Sequence, residues 1–137
     1  MRVFQLEPNP RLYSSNVFLV LGDWSRLDDV NTLIDAGANP AVVDFVGASP
    51  TGVGKQGVDQ VILTHRHSDH TLMAPAIVQR FGARVYAWGG SGEDDALPLV
   101  DGQKVTVADR TFDVLHTPGH SSDSVCLYCE EERVLFS

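Results

Sequence analysis

Only two cysteines occur in the chain, Cys126 and Cys129, too few for a disulfide framework. At 137 residues the chain is also large enough to bury a core without one. Basic residues are scarce: 10 lysines and arginines stand against 18 aspartates and glutamates, a net charge of −8. The few cations are nowhere clustered, so a nucleic-acid partner is not expected. No apolar run approaches the roughly 20 residues of a membrane span. The opening Met1-Arg2-Val3-Phe4-Gln5-Leu6-Glu7-Pro8 lacks the apolar core of a secretion signal. The expectation is a cytoplasmic protein with no membrane partner. Its 43% hydrophobic and 20% charged content suits one globular domain over residues 1–137. No internal repeat stands out.

Two motifs invite chemistry and fail. Cys126 and Cys129 make a C-x-x-C, but they sit in the strand-like Ser124-Val125-Cys126-Leu127-Tyr128-Cys129. Residues three apart on a strand face opposite ways and cannot close on one ion. Gly52-Val53-Gly54-Lys55 brings a lysine after glycines, as in a phosphate loop. Gly47 and Gly52 have the right separation, yet Val53 stands where the lysine belongs and no helix is signalled behind it. A plain loop is the expectation there.

What the chain does have is Thr64-His65-Arg66-His67-Ser68-Asp69-His70, which holds three of its five histidines and one carboxylate. Val58 to Leu63 before it is apolar and β-branched, so the cluster lies where a buried strand gives way to a loop. His65 and His67, two apart on an extended strand end, project from one face and can share an ion. Asp69 and His70 follow once the chain has turned, where they could face a second ion or orient a water. Imidazole and carboxylate donors suit zinc, with iron or manganese as alternatives. A second stretch, His116-Thr117-Pro118-Gly119-His120-Ser121, falls where another strand meets a Pro-Gly turn, and one of its histidines could complete the site. A lone histidine beside a turn is more often a hydrogen-bonding group, which is the reading for His116.

Elsewhere the pattern predicts strands at Arg2–Leu6, an edge, and at 15–21, 30–35, 84–88, 104–107, 111–116, 125–129 and 133–136. The last two form a hairpin around Glu130-Glu131-Glu132. A short helix is predicted from Asn39-Pro40 through Val46, and another over Leu72–Phe81 with Met73, Ile77 and Phe81 on its core stripe and Gly82 as its stop. Residues 89–95 read as a loop.

T-H-x-H-x-D-H after an apolar strand, Leu-Ile-Asp-Ala-Gly upstream and His-Thr-Pro-Gly-His-Ser downstream together resemble the metallo-β-lactamase superfamily, especially its hydroxyacylglutathione-hydrolase-like branch. The resemblance runs from about Asn16 to Ser137. It implies an α+β fold, the αβ/βα sandwich, with the metals at one edge. It also implies that His65, His67 and His120 hold a first metal while Asp69 and His70 belong to a second, with Asp35 supporting the site. In that family a strand like Arg133–Ser137 runs on into a Gly-Asp whose aspartate bridges the metals, and a final histidine follows. The chain stops at Ser137. The expectation is therefore the N-terminal half only, a domain truncated at its C-terminal end: a mixed sheet with flanking helices, without the bridging carboxylate, the last ligand or the second sheet.

The implied activity is hydrolysis of a small ester or thioester, by one or two zinc ions that bring a water's pKa down toward about 7. Asp69 would orient that hydroxide or take its proton. An alternative is a mononuclear iron enzyme acting on a persulfide. Another is a non-catalytic half that binds metal, or a homodimer that covers an exposed half-sandwich face.

Overall fold

The computed structural model describes residues 1–6, 11–23, 26–49, 55–90 and 95–137; the glycine stretch 52–54 and most of the predicted loop at 89–95 lie outside them. The elements in chain order are β1 (Arg2–Leu6), β2 (Val17–Leu21), β3 (Thr32–Ile34), α1 (Ala41–Ala48), β4 (Gln60–Ile62), α2 (Ser68–Thr71), α3 (Ala74–Phe81), β5 (Arg84–Trp88), β6 (Leu97–Leu99), β7 (Lys104–Val107), β8 (Arg110–His116), β9 (Val125–Cys129) and β10 (Val134–Phe136).

Strands β1 to β6 form one sheet in sequence order, and β10-β9-β8-β7 form another. In the first, β1–β2 and β2–β3 are antiparallel, while β3–β4, β4–β5 and β5–β6 are parallel. The central strands β3 and β4 are buried along their whole length, as strands covered on both faces must be. The register Leu33↔Val61 and Ile34↔Ile62 divides their side chains between two cores. Leu33 and Val61 pack with Leu19, Val42, Val46 and Ile77, under the helices. Ile34 and Ile62 pack with Phe112, Val114, Val125 and Leu127 of the other sheet.

That second core corrects one expectation. The mixed sheet with flanking helices is present, but a second sheet is present too. Alternation explains it: β8 and β9 bury every other residue, the signature of a sheet with one face on a core. Phe112, Val114, Val125 and Leu127 are all at 1% exposure or less, so the inner face of the first sheet is covered within the chain. A bridge between Val30 and Ala108 ties the two sheets at one end.

The sequence places the remaining elements well, with two exceptions. β6 escaped notice because Pro98 stands in its middle; it is the last strand of its sheet, where a missing N–H is tolerated. The predicted helix at Leu72–Phe81 begins at Ala74, and a separate turn of helix, α2, precedes it. The two do not merge because the carbonyls of α2 are already engaged. Asp69 O accepts from Ser15 N and Oγ at 3.1 and 2.8 Å, and His70 O from Ala36 N and Gly37 N at 2.8 and 3.0 Å. α3 ends at Gly82, whose φ of 71° is left-handed and costs glycine little. No helix among the described residues is long and apolar enough to cross a membrane.

Candidate metal centre

β4 delivers the histidine cluster to the edge shared by the two sheets. Asp35, just past β3, fixes its geometry. Its carboxylate is 4% exposed and accepts three hydrogen bonds: Thr64 N at 2.8 Å, Thr64 Oγ1 at 2.8 Å and His70 Nδ1 at 2.7 Å. Asp35 itself has φ of 57°, a left-handed conformation that aspartate tolerates better than most residues. The third histidine arrives from the other sheet, on the loop between β8 and β9. Val125 N donates to Thr64 O at 2.8 Å, so the two site-bearing segments are joined directly.

The protonation pattern follows from these contacts. Thr64 gives its one hydroxyl proton to Asp35, so its lone pair is what meets His65 Nδ1 at 3.1 Å. His65 therefore carries its proton on Nδ1, and its Nε2 presents a lone pair. That Nε2 lies 3.2 Å from His67 Nδ1, which lies 3.0 Å from His120 Nε2. The ligand atoms of His65, His67 and His120 all fall within 4.8 Å of one another. Zinc bound tetrahedrally at about 2.0–2.1 Å would set its nitrogens roughly 3.3 Å apart, close to what is seen. One nitrogen of His67, with a single proton or a single lone pair, cannot satisfy both neighbours, whereas a shared cation can. The donor set fits a metal ion.

Burial comes first in holding His65 below its ordinary 6.5; the charge of His70 adds to it, against the pull of Asp35. Burial also pulls His70 down, but the hydrogen bond and charge of Asp35, with the charge of Asp69, prevail and raise it. His65 is thus kept neutral, the form a ligand needs.

Asp69 and His70 stand beside this group rather than in it. His70 Nδ1 is taken by Asp35, leaving Nε2 3.5 Å from Asp69 Oδ2. The rings of His65 and His70 are 4.0 Å apart between centroids. His116 is not drawn in: its Nε2–H donates to Ser122 O at 2.9 Å and its ring stacks on Trp88 at 3.7 Å. Cys126 and Cys129 are free, the first half-buried and the second buried, on opposite faces of β9 as the spacing requires. Sequence reasoning gave no role to Thr64, which opens the T-H-x-H-x-D-H motif and whose hydroxyl sets the His65 tautomer, or to Trp88, which no motif marks.

The family model described as "Metallo-beta-lactamase superfamily" matches residues 10–88 and 88–137. A hydroxyacylglutathione hydrolase of Methylobacterium sp. (strain 4-46) is 36% identical over 123 residues, covering 82% of the chain and 48% of that protein. An atrochrysone carboxyl ACP thioesterase of Aspergillus novofumigatus is 31% identical over 130 residues, covering 92% of the chain and 38% of that protein. The chain thus spans less than half the length of these relatives. Among solved structures, ETHE1 from Myxococcus xanthus superposes with a TM-score of 0.74 at 24% identity, over 94% of this chain and 54% of that one, which is a likeness of fold.

Proposed function

The chain belongs to the metallo-beta-lactamase superfamily, and from that premise we propose that it works in metal-dependent hydrolysis of a small ester or thioester. The observation that carries this reading is the convergence of three imidazole nitrogens, from two sheets, at separations suited to one ion. In the proposal His65, His67 and His120 hold that ion, zinc by preference and iron or manganese as alternatives. Three protein nitrogens leave a fourth position open, the ligand count of a catalytic rather than a structural zinc site. The ion would supply a Lewis acid and an acidified water at neutral pH. Asp69, beside His70, would hold or accept a proton at its carboxylate, and with His70 would offer two donors to a second ion. Asp35 keeps the His70 proton on Nδ1, so that Nε2 faces Asp69. The names of the two relatives, a thioesterase and an acylglutathione hydrolase, support an acyl thioester as first choice.

The test is metal content of the purified chain by elemental analysis, beside His67→Ala and His120→Ala, followed by thioester hydrolysis with the metal found. About one equivalent, lost in both variants, supports the site. Metal bound equally by all three proteins, or by none after supplying zinc, manganese and iron, sinks it. Two other readings have their own tests. A persulfide dioxygenase would use the same imidazoles with iron; iron content with oxygen uptake on a persulfide would select it. A non-catalytic half-domain pairing with its own copy loses the inner face it would cover, which the second sheet already packs against, and would have to use the outer face of that sheet, where Leu115 is 38% and Leu135 54% exposed. Sedimentation showing a dimer without turnover would select that one.

A further inference from the structure

The loop that carries His120 contains a buried acid that neither the metal group nor the hydrolytic scheme uses. Asp123 is 6% exposed. One carboxylate oxygen accepts the hydroxyl proton of Ser121, and the other, Oδ2, is buried with no hydrogen-bond partner among the described residues. Burying a carboxylate so sparsely bonded is costly, and a neutral side chain would fold there more cheaply. The residue is better explained by what it holds than by the stability it adds.

What it holds is the residue that follows His120. The loop between β8 and β9 closes at its base through Thr117 N and Ser124 O at 2.9 Å. Inside it, Ser121 is the hub. Its carbonyl accepts from Gly119 N at 3.2 Å and Ser124 N at 3.3 Å, and its hydroxyl is held by Asp123. The two backbone bonds are long, so alone they fix the turn loosely. The anchored hydroxyl pins Ser121 from the buried side. His120 is exposed and has no contact of its own with the loop beyond its chain neighbours in the bonds described; its ring is placed by the backbone on either side of it.

Resting on the three-histidine reading of the site, we propose that Asp123 is a positioning residue, which fixes Ser121 by its hydroxyl and thereby presents His120 Nε2 to the ion shared with His65 and His67. Asp123 does not bind the ion itself. Its contribution passes through Ser121 and His120, and it is mechanical: an acceptor for one hydroxyl. Asparagine can fill that role with its side-chain oxygen, and alanine cannot.

The experiment titrates the full chain with cobalt(II), reading affinity and the ligand-field bands, with circular dichroism confirming that each variant is folded. Asp123→Ala is expected to weaken cobalt binding by about 10-fold or more, the usual cost of losing a residue that orients a ligand, and to move the bands toward those of His120→Ala. Ser121→Ala, at a half-buried position that tolerates the change, should do the same. Asp123→Asn should restore affinity to within about threefold of the parent, and Asp123→Ala should add no further loss in a His120→Ala background. Unchanged affinity and bands in Asp123→Ala would overturn the proposal. So would an asparagine variant as weak as alanine, which would mean that the charge matters and the anchor does not, or an additive loss in the double variant. These results leave the three-histidine site standing; a parent chain that binds no cobalt would remove the site and this role together.

Discussion

Replacing Asp35 by alanine takes one acceptor away from three donors at once. Thr64 Oγ1 can rotate toward another partner, but Thr64 N and His70 Nδ1 are held in place, so two donors are left unpaired in a site whose carboxylate is 4% exposed. Each costs about 1–3 kcal/mol. Alanine at a φ of 57° adds roughly 1–2 kcal/mol of left-handed strain that aspartate largely avoids. The expected loss is about 3–8 kcal/mol, much of the 5–15 kcal/mol that a small domain has in total. Asparagine separates the causes. Its oxygen still accepts from Thr64 N, and it tolerates the backbone, but its amide now points donors at His70 Nδ1 and at Thr64 Oγ1, whose own proton must turn elsewhere. His70 must move its proton to Nε2, the atom that faces Asp69. The asparagine variant should therefore lose only about 1–2 kcal/mol while its imidazole switches tautomer. Urea unfolding of the metal-free chain measures the first quantity and nitrogen-15 NMR of the imidazoles the second. An alanine variant less than about 1 kcal/mol weaker, or an asparagine variant with the His70 proton still on Nδ1, would refute the reasoning.

Gly57→Ala and Gly82→Ala should differ although both glycines are left-handed. A Cβ at Gly82 meets nothing within 4 Å, so about 1–2 kcal/mol is expected; at Gly57 it would lie 2.4 Å from Phe81 Cδ1, so a further 1 kcal/mol or more is expected, and equal losses in urea unfolding would contradict this. Phe112→Ala, at 0% exposure between the sheets, should cost about 3–5 kcal/mol in the same assay, and a loss under about 1.5 would mean that the inter-sheet core is loose. In the metal-free chain His70 binds its proton more tightly folded than unfolded, so its stabilisation is fully present below pH 6.5 and is lost as pH rises through its raised value. His65 binds its proton more weakly when folded, so stability should also decline as pH falls below 6.5. Urea midpoints against pH should show both limbs, and Asp35→Asn should flatten the upper one.

Residues close in sequence were the most legible part of the site. His65 and His67 could be placed on one face because a strand end has a period of two, and Asp69 and His70 could be set apart from them because the chain must turn. His120 was different. Its spacing alone left it level with His116, and only the family pattern separated the two; the structure shows the physical difference, since the His116 ring is occupied by Trp88 and Ser122. In the fold, β8 and β9 were read as strands, but which strands share a sheet depends on pairing that no local pattern records. β6 was hidden by Pro98, whose effect depends on whether a strand lies at the edge. The break before α3 was hidden for a similar reason: its cause is the bonding of α2 carbonyls to Ser15, Ala36 and Gly37, residues more than 30 positions away.

The second sheet changes what metal binding would mean for this chain. Two of the three nitrogens leave the first sheet at the end of β4, and the third arrives from the second sheet beyond β8. The ion would therefore bridge the two layers, at the edge where Val125 N already bonds Thr64 O. A ligand that binds only the folded form stabilises it by about 2.7 kcal/mol at 100 times its dissociation constant, and here that energy falls on the junction between the sheets. The inter-sheet core of Phe112, Val114 and Leu127 and the three-imidazole site would then act on one equilibrium from opposite ends: packing brings His120 within reach, and a shared ion would resist separation of the layers. A loosened core should weaken metal binding without touching a ligand, and a bound metal should slow the opening of the sandwich without touching the core.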